Sequence, residues 1–321
     1  MKNQWKSGIM GVVVGDALGC PVQFESRKQV AQHPVTGMRG FGTFNLPAGS
    51  WTDDSSLTLA LLESIRRTGG IDCVDIMDNF VRWLDDGAFT PYGYSYDVGG
   101  VTRAALQRYK RTGDPYTCGG MHVSDNGNGS LMRIMPVVLY CIDREMPDGE
   151  AMDVIHRVGS LTHGHLRANI ACGLYFFVAK AILSEKGDLA ACIRMGLGKG
   201  LAYYDDFINA MDLPFEDYME CKQDLKCFDR LRDVDAFGAL DADDIRGSGY
   251  VVDTLEAAIW SLLTTDSFPA ALLKAVNLGE DTDTVAAVAG GLAGLYYGYD
   301  AIPGEWLAAL QRRDWIEGLM N

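Results

Sequence analysis

The chain has 321 residues, of which 48% are hydrophobic and 22% charged, a composition typical of globular rather than disordered proteins. Its formal net charge of −15 disfavours nucleic acid or a membrane surface as the main partner, because both are negatively charged. An anionic small ligand stays compatible with this charge, since a bound divalent cation can reverse the field locally.

The N-terminal segment predicts a cytoplasmic protein. Its apolar run extends only from Ile9 to Val14 before Asp16 interrupts it, which is too short for a signal peptide. No segment is expected to reach the apolar length of a membrane span. The eight cysteines form no CxxC pair and lie mostly in apolar surroundings. We therefore expect reduced thiols that serve as small core residues.

Helical periodicity dominates the chain and predicts one all-α domain over residues 1–321. Apolar stripes with helical spacing start at Leu57, Leu255 and Val285, whereas sustained alternation of the strand kind is hard to find. Asp253 and Glu256 resemble a capping box at the start of the second stripe. The polar and acidic stretch 205–244 is expected to be a solvated excursion from the body of the domain.

Two clusters of hydroxyl and carboxylate side chains stand at predicted helix starts, far apart in the sequence. Their members are Thr52, Asp53 and Asp54 in the first cluster, and Glu280, Asp281, Asp283 and Thr284 in the second. One Asp or Thr at a helix start is ordinary capping of free N–H groups. For either cluster taken alone, capping is the better explanation.

Taken together, the clusters hold more carboxylates than capping requires. They would repel one another unless something positive lay between them, and no Lys or Arg stands within five residues of either cluster. Oxygen ligands without His or Cys favour Mg²⁺, Mn²⁺ or Ca²⁺ over zinc. We therefore expect a metal site, with two ions, where the helix starts meet. From the spacing alone, capping and metal binding both stay open.

The second cluster is followed by a run of small residues, "AAVAGGLAG". Gly290, Gly291 and Gly294 each weaken an isolated helix by about 1 kcal/mol relative to Ala. Such residues are expected where a neighbouring helix backbone approaches closely. Tight core packing explains the glycines equally well, but it does not explain the acids.

The motifs, in their order along the chain, resemble those of the ADP-ribosylglycohydrolase family. From the N-terminus they are "GVVVGDALGCPVQFE", "WTDDSSLTLALLESI", "SYDVGGVTRAAL", "NGNGSLMRIMP", "LTHGH", "SGYVVDTLEAA" and "LGEDTDTVAAVAGGLAGLYYG". The resemblance implies a compact single-domain helical bundle that holds two Mg²⁺ or Mn²⁺ ions in a cleft. It also implies hydrolysis of the bond between C1 of the distal ribose of ADP-ribose and an acceptor such as arginine, serine or a smaller group. The expected partners are ADP-ribosylated proteins or small molecules that contain ADP-ribose.

The resemblance assigns the metal ligands to the two acidic clusters. They are Thr52, Asp53, Asp54, Asp281, Asp283 and Thr284. Asp54 and Asp283 are also expected to act in catalysis, because carboxylates at the ions can orient a water molecule toward an oxocarbenium-like carbon.

The first motif departs from the family pattern at Gln23. Family members usually carry Glu there, seven residues after Asp16, whereas this chain has Glu25 two residues later. Gln can coordinate through its carbonyl, but it cannot accept a proton at neutral pH. Either Asp54 or another metal-bound carboxylate acts as the base, or Glu25 reaches into the site, or catalysis is weakened. Gln23 and Glu25 share one face only if the segment is extended.

"SYDVGG" places Asp97, Gly99 and Gly100 directly before a predicted helix. By the resemblance, Asp97 binds the substrate ribose or supports the ions, and the two glycines belong to the same substrate-binding motif. The alternative for Asp97 is an N-cap.

Three further motifs are expected to bind the rest of the substrate. Asn128, Gly129 and Ser130 form a turn whose free N–H groups can take a pyrophosphate. His163 is assigned to the diphosphate region, or else is a core histidine bonded to the backbone. Tyr250 either stacks on adenine or ribose, or packs as ordinary core.

These expectations favour a metal-dependent hydrolase of ADP-ribosyl linkages. A non-catalytic ADP-ribose binder or a structural member of the same superfamily is the alternative that Gln23 favours. A metal phosphohydrolase acting on a nucleotide shares the preference for hard ions, but it lacks the pattern of diol-binding motifs.

Overall fold

The computed structural model describes residues 2–184 and 187–320, and this part of the chain consists of helices and loops without a β-strand. The predicted all-α class is confirmed. The α-helices, numbered in chain order, are α1 Lys2–Gly19, α2 Arg27–Val30, α3 Asp53–Thr68, α4 Cys73–Asp86, α5 Gly100–Thr112, α6 Met135–Asp143, α7 Asp148–Gly159, α8 Leu166–Ser184, α9 Leu189–Ala210, α10 Phe215–Lys226, α11 Val234–Gly238, α12 Val251–Leu263, α13 Phe268–Val276, α14 Thr282–Tyr297, α15 Gly304–Ala309 and α16 Arg313–Gly318.

Short 3-10 helices occupy several of the loops between these helices. They are Cys20–Val22, Gly42–Phe44, Pro115–Thr117, Val123–Asp125, Asp229–Arg232, Ala242–Asp244 and Tyr299–Ala301.

The predicted apolar stripes lie on α3, α12 and α14, and their residues are buried in a single core. Six of the eight cysteines are also buried, as expected for small core residues. The capping-box prediction was wrong, because α12 begins at Val251 with Tyr250 as its N-cap. Asp253 accepts a hydrogen bond from the Ser248 hydroxyl instead, at 2.6 Å.

Helices α1 and α14 cross with their backbones almost in contact. A Cβ atom added to Gly11 would lie 2.0 Å from the carbonyl oxygen of Gly290, and one added to Gly290 would lie 2.2 Å from that of Gly11. Gly15 meets Ala286 in the same way, also at 2.0 Å. The helices are antiparallel here, so the C-terminal end of α1 reaches the N-terminal end of α14. The close approach predicted from the small residues is confirmed.

Two expectations about surface and membrane need correction. The stretch 205–244 is not only a solvated excursion, because Phe228 and Phe237 within it are buried in the core. Helix α8 is long and apolar enough to pass as a membrane span, although none was expected. Within the described chain, 72% of its apolar window is buried, which is typical of a core helix.

Candidate active site

Three helix ends meet beneath a cleft and bring the two acidic clusters together. The N-terminal ends of α3 and α14 converge beside the C-terminal end of α1. The hydroxyl of Thr52 lies 3.2 Å from Oδ2 of Asp54 and 3.1 Å from Oδ2 of Asp283. Thr284 places its hydroxyl 3.3 Å from the same Asp54 oxygen. Side chains more than 200 residues apart in the sequence therefore share one buried floor.

Asp16 anchors this floor, a role that was not predicted from the sequence. Its carboxylate accepts hydrogen bonds from the backbone N–H groups of Thr52 and Ser55, both at 2.9 Å, and from the Ser55 hydroxyl. An acid on α1 thus caps α3 from outside that helix. The signal that could have revealed it is a lone Asp inside an otherwise apolar stretch of α1.

The capping explanation for the clusters does not account for their carboxylates. Thr52 and Asp281 are the N-caps of α3 and α14, but neither side chain makes a capping hydrogen bond. Oδ1 of Asp54 and Oδ1 of Asp283 are buried and have no hydrogen-bond partner within the described chain. Buried oxygens of this kind are costly unless something else binds them.

The ionised forms of the acids in and beside the floor are unfavourable. Burial first, and neighbouring carboxylates second, raise the pKa of Asp53, Asp54 and Asp283 well above the ordinary value of 3.8. Burial also raises the pKa of Asp281. None of these acids forms an ion pair with a described Lys, Arg or His. The positive ends of the α3 and α14 dipoles offset only part of this repulsion.

The donors at the floor fit a divalent cation chemically. They are carboxylate and hydroxyl oxygens, the ligands that Mg²⁺ and Mn²⁺ prefer, and two of the carboxylate oxygens are unpartnered. Within residues 2–184 and 187–320, however, no group of three or more Asp, Glu, His or Cys side chains is arranged to hold a metal ion. The predicted two-ion cleft and its ligands therefore stay predictions.

A cleft of about 600 Å³ opens above the floor. Ten of the predicted site residues line it: Gln23, Asp53, Asp97, Gly99, Gly100, Asn128, Gly129, His163, Asp281 and Thr284. Thr52, Asp54 and Asp283 are absent from the lining and lie in the floor beneath it. The predicted site thus separates into a lining layer and a buried supporting layer.

Two amide side chains hold the lining carboxylates in place. Nε2 of Gln23 donates to Oδ2 of Asp97 at 2.9 Å, and Nδ2 of Asn128 donates to Oδ2 of Asp281 at 2.7 Å. Burial raises the pKa of Asp97 to about 6, although the Gln23 hydrogen bond opposes that shift. The amide oxygen of Gln23 is buried without a partner. The departure from the family pattern therefore lies in direct contact with the lining acids.

His163 lies in the cleft wall next to Gly129. Burial, and secondarily the charge of Arg133, lower its pKa to about 3, so the ring is neutral at neutral pH. Nδ1 pairs with the Thr162 hydroxyl at 2.8 Å. In the neighbouring turn, the backbone N–H of Asn128 already donates to the carbonyl of Gly249 at 3.1 Å and is not free for a phosphate.

Besides Thr52, Asp54 and Asp283 in the floor, three further predicted site residues do not line the cleft. Glu25 lies outside it because Phe24, with φ of 69°, turns the chain, so the segment is not extended. Ser130 is fully buried, and its hydroxyl accepts from the thiol of Cys172 at 3.6 Å. The Tyr250 hydroxyl accepts from Arg167 at 3.3 Å.

Among the lining residues without a predicted role, Phe24 and Glu280 stand out at the mouth of the cleft. Both are exposed, although they lie next to predicted site residues. Glu280 belonged to the second acidic cluster but was given no function. An exposed phenylalanine has no distinctive sequence pattern, so its position could be found only from the fold.

Comparison with known proteins gives results that cover almost the whole chain. The sequence profile described as ADP-ribosylglycohydrolase matches residues 2–321. The chain is 31% identical to ADP-ribosylarginine hydrolase Tri1 of Serratia proteamaculans (strain 568), over 98% of this chain and 77% of that protein. It is 30% identical to the ADP-ribosyl-[dinitrogen reductase] glycohydrolase of Rhodospirillum rubrum, over 95% of this chain and 89% of that protein.

A solved structure has the same fold. The chain described as "ADP-ribosylglycohydrolase-related protein complex" superposes with a TM-score of 0.76 at 34% sequence identity. The similarity covers 99% of this chain and 96% of that chain.

Proposed function

This chain belongs to the ADP-ribosylglycohydrolase family and is a glycohydrolase, and we propose that it cleaves ADP-ribosyl-arginine with the help of divalent metal ions. The bond cleaved joins C1 of the distal ribose of ADP-ribose to a guanidine nitrogen of the acceptor. The observation that carries the metal part is the buried floor, where Asp54 and Asp283 each keep an unpartnered oxygen. Divalent cations held by these carboxylates would supply the missing partners and offset the repulsion between the acids.

The lining residues have separable tasks in this reaction. Asp53, Asp97 and Asp281 are the carboxylates that can hold and orient a water molecule beside C1. Gln23 accepts no proton; its amide fixes the orientation of Asp97. When bound, divalent ions would grip the ribose hydroxyls and lower the pKa of the attacking water. The proposed metal ligands are Thr52, Asp54, Asp283 and Thr284 in the floor, together with Asp53 and Asp281 at its border with the cleft.

The chemical balance needs no further reactant. The water oxygen bonds to C1 as the C1–N bond breaks, and the bonding electrons leave with the guanidine nitrogen. A lining carboxylate takes one proton from the water and passes it to that nitrogen. His163 takes no proton in this proposed transfer, because its lowered pKa makes the neutral ring a weak base. The products are ADP-ribose and the restored arginine side chain.

The choice of arginine as acceptor rests on the relatives. The Tri1 proteins of Serratia proteamaculans and Pseudomonas putida (strain GB-1), at 31% and 32% identity, are named ADP-ribosylarginine hydrolases. Similarity at this level supports the same class of linkage. An ADP-ribosylated protein is the proposed natural substrate, and the cytoplasm the proposed location.

The test is a substrate panel with and without metal. We would incubate the protein with ADP-ribosyl-arginine, ADP-ribosyl-serine and O-acetyl-ADP-ribose, in Mg²⁺ or in EDTA, and measure the release of ADP-ribose. Release from ADP-ribosyl-arginine in Mg²⁺, and none in EDTA, is the expected result. The variant Asp53→Asn should be slower by about 100-fold, on the scale of losing one group that orients the water.

The matched control is Asp212→Asn, the same change at an exposed aspartate outside the cleft, which should leave the rate unchanged. Equal release in EDTA and Mg²⁺ would overturn the metal part of the proposal. No release from any substrate, together with micromolar binding of ADP-ribose, would instead identify a binding protein.

A further inference from the structure

The geometry points to Phe24 and Glu280 as the residues that recognise the acceptor, and we propose that together they bind its guanidinium group at the mouth of the cleft. In this arrangement the Glu280 carboxylate receives N–H hydrogen bonds and the Phe24 ring covers the flat face of the cation. The inference rests on the proposed function, because it specifies how that same site selects its substrate.

The backbone presents these two residues as a unit. The N–H of Phe24 donates to the carbonyl of Glu280 at 2.6 Å, and the N–H of Glu280 donates to the carbonyl of Glu25 at 2.7 Å. Both Phe24 and Glu280 have left-handed backbone conformations, with φ of 69° and 67°. Non-glycine residues rarely adopt this conformation, and it persists only where the surrounding structure imposes it. Two such residues, joined by a backbone hydrogen bond at the mouth of a cleft, indicate that the surrounding structure holds this arrangement in place.

Glu280 is the acid at this mouth that is free to meet a cation. It is exposed and forms no ion pair with any described Lys, Arg or His. Among the neighbouring lining acids, Asp97 accepts from Gln23, Asp281 accepts from Asn128, and Asp53 is buried. A cationic acceptor that extends from the reacting bond toward the mouth of the cleft can therefore pair with the Glu280 carboxylate, which has no other cationic partner among the described residues.

Phe24 supplies an aromatic surface in a fixed position. It is 65% exposed, which is unusual for a phenylalanine and leaves much of the ring open. Its ring packs edge-on against Phe44, with centroids 6.3 Å apart, and Phe44 packs on Tyr96 at 5.4 Å. The ring is thus braced from one side, and Phe24 also lines the cleft.

A carboxylate beside an aromatic face selects a guanidinium over the other acceptors. The guanidinium is planar and delocalised, offers paired N–H donors that match a carboxylate, and stacks on aromatic rings. An N-glycosylated guanidinium keeps its positive charge and planar shape. The hydroxyl of serine and an acetyl group carry no charge, so neither gains from Glu280. The attraction of a cation to the ring face adds to the preference.

Kinetics on two acceptors test the assignment. The variant Glu280→Gln keeps the shape and removes the charge, and kcat/KM for ADP-ribosyl-arginine should fall by about 30-fold, as for a lost hydrogen bond to a charged group. Phe24→Leu should cost about 4-fold, since the cation–π contribution at an exposed site is smaller. Turnover of O-acetyl-ADP-ribose and the Kd of ADP-ribose should stay within 2-fold in both variants. Free agmatine carries a guanidinium group and should compete for the same position. It should therefore inhibit the wild type more strongly than Glu280→Gln.

Matched controls separate recognition from general damage. Phe41→Leu changes another phenylalanine with a positive φ (66°) and 63% exposure, which lies outside the cleft lining. Glu305→Gln removes an exposed carboxylate from α15. Neither control should change kcat/KM. Equal losses for both acceptors, or a weaker affinity for ADP-ribose in Glu280→Gln, would overturn the assignment.

A failure of the proposed function would look different. If the wild type cleaves none of the substrates, the assignment is decided by affinity alone. Glu280→Gln should then lower the preference for ADP-ribosyl-arginine over ADP-ribose by about 30-fold, on the same basis as above. An unchanged ratio of the two Kd values would refute the guanidinium assignment.

Discussion

Two regions of helix α14 have opposite effects on the stability of the folded protein. Along its middle it packs against α1 through Gly290, where only the absence of a side chain permits the crossing. At its N-terminal end Asp283 shares the Thr52 hydroxyl with Asp54 in a buried floor, where each of the two acids has an unpartnered oxygen. The crossing lowers the free energy of the folded state by close packing, whereas the floor raises it by burying like charges.

The residues of the crossing stabilise the fold, whereas those of the floor are explained by the proposed chemistry. Helix α14 takes part in both regions, and its crossing with α1 helps to fix the floor because it brings the end of α1 to the start of α14, beside the start of α3. A cost that persists beside such tight packing indicates a functional requirement. Substitutions in the two regions should therefore have opposite effects on the stability of the metal-free protein.

The largest expected effect is that of Asp283→Asn. Turnover in Mg²⁺ should fall by about 1,000-fold or more, because the floor loses a proposed metal ligand. In EDTA the same variant should melt at a higher temperature than the wild type, because one buried charge and its repulsion are gone. The rise in Tm on adding Mg²⁺ should shrink or vanish, since binding to the folded state raises stability only where the site is intact. Scanning calorimetry in EDTA and in Mg²⁺ measures both effects.

Gly290→Ala tests the other side of the comparison. The added Cβ would meet the carbonyl oxygen of Gly11 at 2.2 Å, so the helices must separate and stability should fall by about 3 kcal/mol in urea unfolding. Gly198→Ala is the control: it makes the same change in the exposed part of α9 with nothing within 4 Å of the new Cβ. It should stabilise the protein by about 0.5–1 kcal/mol. Equal destabilisation by both variants would contradict the close-packing explanation.

Much of the fold could be predicted because its causes are local. Periodic apolar residues such as Leu57 and Val285 mark buried helix faces, and runs of glycine mark a close helix crossing. The segment around Phe228 and Phe237 was misjudged because its many acids hide a few residues that reach the core. Composition averages over a segment, whereas burial is decided residue by residue.

The site could be predicted only where several of its acidic residues are adjacent in the sequence. Asp53 and Asp281 were found because acids crowd two helix starts, and the cleft does contain both. The role of Asp16 was missed, since its partners Thr52 and Ser55 lie 36 and 39 residues away. The pairing of Phe24 with Glu280 depends on backbone angles that no pattern of residue types encodes.

Asp16→Asn changes a second buried acid of the floor, one that differs from Asp283 in its hydrogen bonds. Unlike Asp283, Asp16 has its oxygens satisfied by backbone N–H and hydroxyl donors of α3. An amide nitrogen cannot accept these bonds, so stability in EDTA should fall by about 2 kcal/mol. The opposite sign for Asp283→Asn would show that hydrogen bonding, not burial, decides which acid stabilises the fold.

The control for this change is Asp188→Asn, an exposed N-cap of α9 that accepts from Ala191 at 2.7 Å. Asn caps a helix about as well as Asp, so stability should change by less than about 0.5 kcal/mol. A gain in stability for Asp16→Asn would contradict its role as an anchor.

The smallest effect concerns Glu256, a buried acid that, unlike the floor, has an arginine partner. Its carboxylate lies 2.8 Å from Arg230, yet burial raises its pKa to about 7. The folded state then holds a proton that the unfolded chain releases above its ordinary value of 4.5, so this group lowers stability as pH rises from about 4.5 to 7. Glu256→Gln should flatten that decline and raise Tm at pH 8 by roughly 2 °C, a modest gain because the partly exposed arginine loses its partner.

Melting curves from pH 5 to 8 measure the slope of Tm against pH. The control is Glu220→Gln, at an exposed acid on α10, which should leave that slope unchanged. A lower Tm for Glu256→Gln at pH 8 would show that the arginine outweighs the cost of burial, and only the unpaired acids of the floor would then destabilise the protein.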